Sequence, residues 1–179
     1  MTSAPLNIAS GLAPSFRLVR RYFAASVFSF VVLCLLLFLS SGDLRGHHFQ
    51  PKLLALTHIA TLGWITMVIF GSMYQLIPVV LEVRVYSERM ANIQFWIFSL
   101  GTVGLVYGFW SFNVGYLLAV SASLVTVGVL LFIVNVLATM SCITKWNLTG
   151  LFLLTAVAYL ALTAVAGLLL AVNLGFPFI

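Results

Sequence analysis

The sequence predicts an all-α membrane bundle of five transmembrane helices, and three observations predict it. Charged residues make up 6% of the chain and hydrophobic ones 63%, with a mean hydropathy of +1.21. A soluble domain carries roughly 25% charged residues, so this chain cannot cover a globule in water, whereas lipid can solvate it. Five stretches also reach the roughly 20 apolar residues that cross a hydrocarbon core of about 30 Å. Short polar or charged breaks separate them, and most of the bases gather on alternate breaks.

Residues 1–20 mix Pro, Ser and Gly before the basic and apolar run Phe16–Arg21. They are expected to form a cytoplasmic segment, disordered and then an interfacial turn. Residues 21–179 are expected to form a single five-helix transmembrane domain. The first span, 22–41, ends at Ser40-Ser41-Gly42-Asp43, and no Ala-x-Ala site follows it, so it reads as a retained helix rather than a cleaved leader. A polar loop through Arg45, His47, His48 and Gln50 leads to Pro51-Lys52 and the second span, 54–81. Pro78 sits near the end of that span, where a kink costs little. The most charged segment, Glu82 to Arg89, reads as a solvated, partly ion-paired loop before the third span, 92–111. Ser111-Phe112-Asn113 is a tight turn, without which two spans would fuse into one far too long for a bilayer. The fourth span, 114–140, and the fifth, 148–173, are separated by Lys145-Trp146-Asn147.

Orientation follows from the bases. With the N-terminus in the cytoplasm, Arg17, Arg20, Arg21, Arg84, Arg89 and Lys145 lie inside, and Arg45 and Lys52 outside. Six bases against two satisfies the positive-inside rule and puts the C-terminus on the outer face. The expected location is the bacterial cytoplasmic membrane. The net charge of +5 therefore reports placement relative to lipid, and no nucleic-acid partner is expected. Gly101, Gly104 and Gly108 on the third span, and Thr163, Gly167 and Ala171 on the fifth, are small residues spaced for close helix approach. Trp96, Trp110 and Trp146 read as interfacial belt residues.

Chemistry is sparse. Cys34 and Cys142 form no CxxC or CxxCH pattern, so a disulfide framework, a zinc site and a covalently attached haem have no support. The adjacent His47 and His48 fall in the outer loop, where two neighbouring rings without further ligands read as solvated. His58, in Thr57-His58-Ile59-Ala60-Thr61-Leu62-Gly63-Trp64, is the one histidine set inside a span, near its outer end. Ionisable groups there usually face the bundle interior and mark function, and an imidazole can ligate a metal through one nitrogen while the other is anchored. At about 100° per residue Thr61 and Ser72 share its face, with Gly63 and Gly71 opposite. Taken alone, a histidine bonded to a neighbouring carbonyl is the simpler explanation. Gln75 is placed to hydrogen-bond across the bundle.

The order of these features resembles haem-copper oxidase subunit I. A histidine early in the second span is followed by Gly71, Pro78 and a charged loop, then by Arg89, Asn92, Phe95 and Trp96 in the order that family shows before its third helix. Phe132-Ile133-Val134-Asn135, followed by Ala138-Thr139-Met140, is similar to the end of its fourth helix. The likeness runs over roughly residues 20–145. It implies that His58 is an axial ligand of a low-spin, b-type haem, with the iron as the metal held. It also implies a place in respiratory electron transfer and other membrane subunits, or a second copy, as partners.

The departures limit what the resemblance implies. The family's chain continues through later helices that carry the second axial histidine, the copper-site histidines and the cross-linked tyrosine. The segment Leu81 to Arg89 has Arg84 where the family has the acid that opens its proton channel. The expectation is a haem-binding membrane protein that is not a complete oxidase by itself and has no catalytic residues of its own. The alternative is a cofactor-free structural or assembly subunit. A transporter fits less well, because none of the three acids falls in the membrane interior.

Overall fold

A computed structural model of the protein describes residues 12–42, 50–143 and 147–177. His47, His48, Arg45, Lys145 and Trp146 lie outside the described residues. The described chain is all-helical, with five helices long and apolar enough to cross a membrane: α1 (Phe16–Leu39), α2 (Pro51–Val80), α3 (Glu88–Trp110), α4 (Tyr116–Met140) and α5 (Leu148–Gly175). The shortest has 23 residues, which at 1.5 Å per residue spans roughly 35 Å, enough for the hydrocarbon core. Large apolar side chains stand exposed along every helix, among them Phe28, Phe38, Ile69, Val103, Val120 and Leu162, as a lipid-facing surface requires.

The class and the five spans are as the sequence predicts; the helix ends are set by local chemistry. Phe16–Arg21, expected as an interfacial turn, is the first part of α1, with Leu18 and Val19 buried while Arg17 and Arg20 stay exposed. Basic side chains reach outward from such a position while the backbone stays helical. Pro51 occupies the first turn of α2, where its missing N–H costs nothing. Ser87 caps α3 by accepting from the N–H of Met90 (3.2 Å), and Asn147 caps α5 by accepting from Gly150 (2.8 Å). The turn between α3 and α4 is closed by Asn113 N–H donating to the Gly108 carbonyl (2.8 Å), with Phe112 in the left-handed region at φ 53°. In the loop before α3, Glu88 is held not by a base but by Ser15, whose N–H (2.9 Å) and hydroxyl (2.6 Å) both donate to its carboxylate. No ion pair is found among the described residues of that loop, whose Arg84 and Arg89 are exposed.

Consecutive helices pack side by side. Gly63 and Gly71 of α2 lie against Ser29 and Tyr22 of α1, so that face of α2 is indeed the tight one. Gly101, Gly104 and Gly108 of α3 face Val125, Ser121 and Leu118 of α4, and Gly128 of α4 faces Phe98 in return. α5 rests on α4 through Gly150, Leu153, Val157, Leu160, Ala164, Leu168 and Ala171, a seam at three- and four-residue spacing. Of the expected small-residue stripe on α5, Ala171 lies on that seam and is buried, and the other two residues do not lie on it. Thr163 and Gly167 are exposed, and a Cβ built on Gly167 would meet nothing within 4 Å. At the centre Phe70, Phe98 and Phe132 join α2, α3 and α4, with Phe70 stacked on Phe132 at 4.2 Å.

Candidate functional site

His58 ends two α-helical turns that begin at Pro51, and the next eight residues, Ile59–Thr66, are π-helical before the α-helix resumes at Met67. π-helical turns are rare and are found frequently at functional sites. Threonine hydroxyls satisfy the carbonyls around this change. Thr57 donates to Leu53 (2.9 Å), Thr61 to Thr57 (2.8 Å), and Thr66 to Thr61 across five residues (2.8 Å). The wider turn breaks the constant rotation that placed Thr61 and Ser72 on the face of His58. Thr61 is exposed, and its hydroxyl is turned back to its own helix.

The imidazole of His58 is half-buried between α2 and α3. Its Nδ1 lies 2.7 Å from the carbonyl oxygen of Leu54. A carbonyl can only accept, so Nδ1 carries the hydrogen, and in the neutral ring Nε2 keeps its lone pair. Phe109 of α3 stacks on the ring at 4.7 Å with an interplanar angle of 29°. An anchored Nδ1–H with a free Nε2 is the usual state of a metal-ligating histidine, because the anchor fixes the tautomer and the ring plane. Phe109 is a contact that sequence reasoning missed, since an aromatic residue in the last turn of a helix reads as packing.

No cluster of three His, Cys, Asp or Glu side chains exists among the described residues, and His58 stands there as a single candidate ligand. Two hollows among the described residues, of about 370 and 310 Å³, are not lined by His58. A single imidazole in this state fits one axial position of an iron porphyrin.

The second polar feature is a buried network at the opposite end of the bundle. Gln94 and Asn135 are both 0% exposed. The Tyr22 hydroxyl lies between the Ala91 carbonyl (2.7 Å) and the Gln94 side-chain oxygen, to which Tyr74 also donates (3.1 Å). The Asn135 amide donates to the Tyr74 hydroxyl (3.3 Å) and to the Ser87 carbonyl (2.9 Å), and accepts from the Ser87 N–H (3.0 Å). Thr139 accepts from the N–H of Tyr86 (3.0 Å), so two residues of α4 fasten the loop before α3. Asn92, one of the residues that carries the resemblance, accepts from Arg21 of α1 (2.7 Å), while Trp96 faces outward at 58% exposure. Cross-bundle bonding falls to Gln94. Gln75, expected in that role, is exposed and bonds to no described residue. The signal for the network was four polar side chains within apolar spans, each a costly residue to leave without a partner.

Fold and site together define a class: a polytopic helical membrane protein with a histidine inside its second helix whose Nδ1 is anchored to its own backbone. Part of the chain is similar to a named protein. It is 31% identical over 64 residues to the Cbb3-type cytochrome c oxidase subunit CcoN1 of Stutzerimonas stutzeri, a match that covers 35% of this chain and 14% of that protein. The match thus spans about a seventh of the length of the relative. No model of a known protein family matches the chain, and no solved structure matches it.

Proposed function

We propose that this protein is a membrane haem-binding protein related to haem-copper oxidase subunit I, in which His58 supplies one axial ligand to a b-type haem. The observation that carries the reading is the state of His58, with Nδ1 donating to Leu54 (2.7 Å) and Nε2 left with its lone pair. The partial similarity to an oxidase subunit supports it. Haem bound there would supply one-electron redox chemistry. The residues of the chain would ligate and orient it: Leu54 fixes the ring plane, and Phe109 holds one face of the imidazole. The second axial ligand and the enclosing walls would come from another membrane subunit or a second copy, so the chain is no complete oxidase by itself. Respiratory electron transfer or an accessory role in such a complex is the setting this implies. The bases favour an N-terminus in the bacterial cytoplasm, with His58 near the outer surface.

A cofactor-free structural or assembly subunit is the second reading. What favours it is that the Leu54 bond and the Phe109 stack alone satisfy an ordinary core histidine. An optical spectrum of protein purified in detergent, oxidised and then dithionite-reduced, separates the two. The haem reading expects a sharp reduced α-band, on its own or after haem is supplied. A spectrum with no band after haem supplementation contradicts it.

A further inference from the structure

The hollow of about 370 Å³ opens where the start of α1 meets the last third of α2, away from His58. Phe16, Val19 and Phe23 form its apolar wall, and Arg20 and Gln75 are its polar side chains. Both are exposed, and neither bonds to a described residue. Arg17, one turn before Arg20 and on the same side of α1, is exposed as well. The neighbouring charges are otherwise engaged. Arg21 donates to Asn92 (2.7 Å), and Glu88, the nearest acid, accepts twice from Ser15. What remains is a positive groove. A carboxamide pointing toward lipid is expensive unless something there accepts its N–H groups, and an apolar wall beside a guanidinium suits an acyl chain beneath a phosphate.

We propose that this groove binds an anionic phospholipid of the leaflet at the N-terminal face of the bundle. The headgroup phosphate accepts from the Arg20 guanidinium and the Gln75 amide, and an acyl chain lies along Phe16 and Phe23. Arg17 adds to the positive potential without lining the groove.

Native mass spectrometry of the full chain, released from micelles with equal amounts of phosphatidylglycerol and phosphatidylcholine, tests this. The wild type retains phosphatidylglycerol in preference. One basic residue at a membrane surface contributes about a fivefold preference for anionic lipid, so Arg20→Gln lowers the retained fraction by about that factor. Gln75→Leu lowers it in part, and Arg20→Lys keeps most of it. Arg84→Gln, a base on the same face outside the groove, lowers it by much less. Circular dichroism of each variant shows that the helices persist. Equal retention of the two lipids overturns the proposal. So does an equal loss in Arg84→Gln and Arg20→Gln, or displacement of the lipid by inorganic phosphate alone.

Discussion

A single methyl group placed at two glycines is expected to act with opposite sign. In Gly101→Ala the new Cβ would stand 2.6 Å from the backbone nitrogen of Val125 and 2.9 Å from the Leu124 Cβ. Both neighbours sit on α4, and one is backbone, so no side chain can swing aside. Ordinary contact begins at 3.4 Å, so α3 and α4 must part locally by about 0.8 Å, a gap that forfeits a quarter to a half of the dispersion well for the atoms it separates. Overpacking of this kind costs about 1–3 kcal/mol, and the contact with backbone places Gly101→Ala toward the upper end. Gly167→Ala meets nothing within 4 Å, and an alanine in place of an exposed helical glycine gains up to about 1 kcal/mol. The two variants should therefore differ by about 3 kcal/mol in reversible unfolding measured in mixed micelles. A Gly101→Ala protein as stable as the wild type would refute the packing argument. A loss at Gly167 as large as at Gly101 would show that another chain covers that face of α5.

The polar network gives a second contrast. Asn135→Leu strips partners from Ser87 N–H, Ser87 C=O and Tyr74, and should cost about 2–3 kcal/mol in the same unfolding assay. Gln94→Met leaves Tyr22 bonded to Ala91 and removes a buried amide nitrogen that has no partner, but it takes the acceptor from the Tyr74 hydroxyl, so its cost should be smaller, about 1 kcal/mol. Phe109→Ala removes the ring stacked on His58 and empties a buried aromatic site. It should destabilise by about 3 kcal/mol, and any haem band should broaden or shift as the imidazole gains freedom.

What the sequence conveyed depended on which physical quantity each feature used. The spans were legible because membrane crossing is a matter of length and apolarity, and the third-span glycines because they recur on one face. The same reasoning misplaced the contact on α5. Thr163 and Gly167 are small, but smallness permits contact without directing it, and the seam mixes the larger Leu153, Val157 and Leu160 with Gly150, Ala164 and Ala171. The π-helical turn after His58 leaves no mark in hydropathy, since a change of winding alters no residue's polarity. That is why the face assigned to Thr61 was not the one found. His58 itself stood out as an ionisable residue in an apolar run, whereas Gln94, Asn135 and their tyrosines are uncharged and passed as tolerable. Their pairing depends on four helices meeting at one depth, which no local pattern encodes.

The central claim is that Nε2 of His58 ligates haem iron. The most direct measurement is the reduced-minus-oxidised spectrum of His58→Gly beside the wild type, each with and without added imidazole. The account predicts that the α-band of the wild type is lost or shifted in His58→Gly and returns when imidazole takes the vacant position. An α-band in His58→Gly identical to that of the wild type would contradict it.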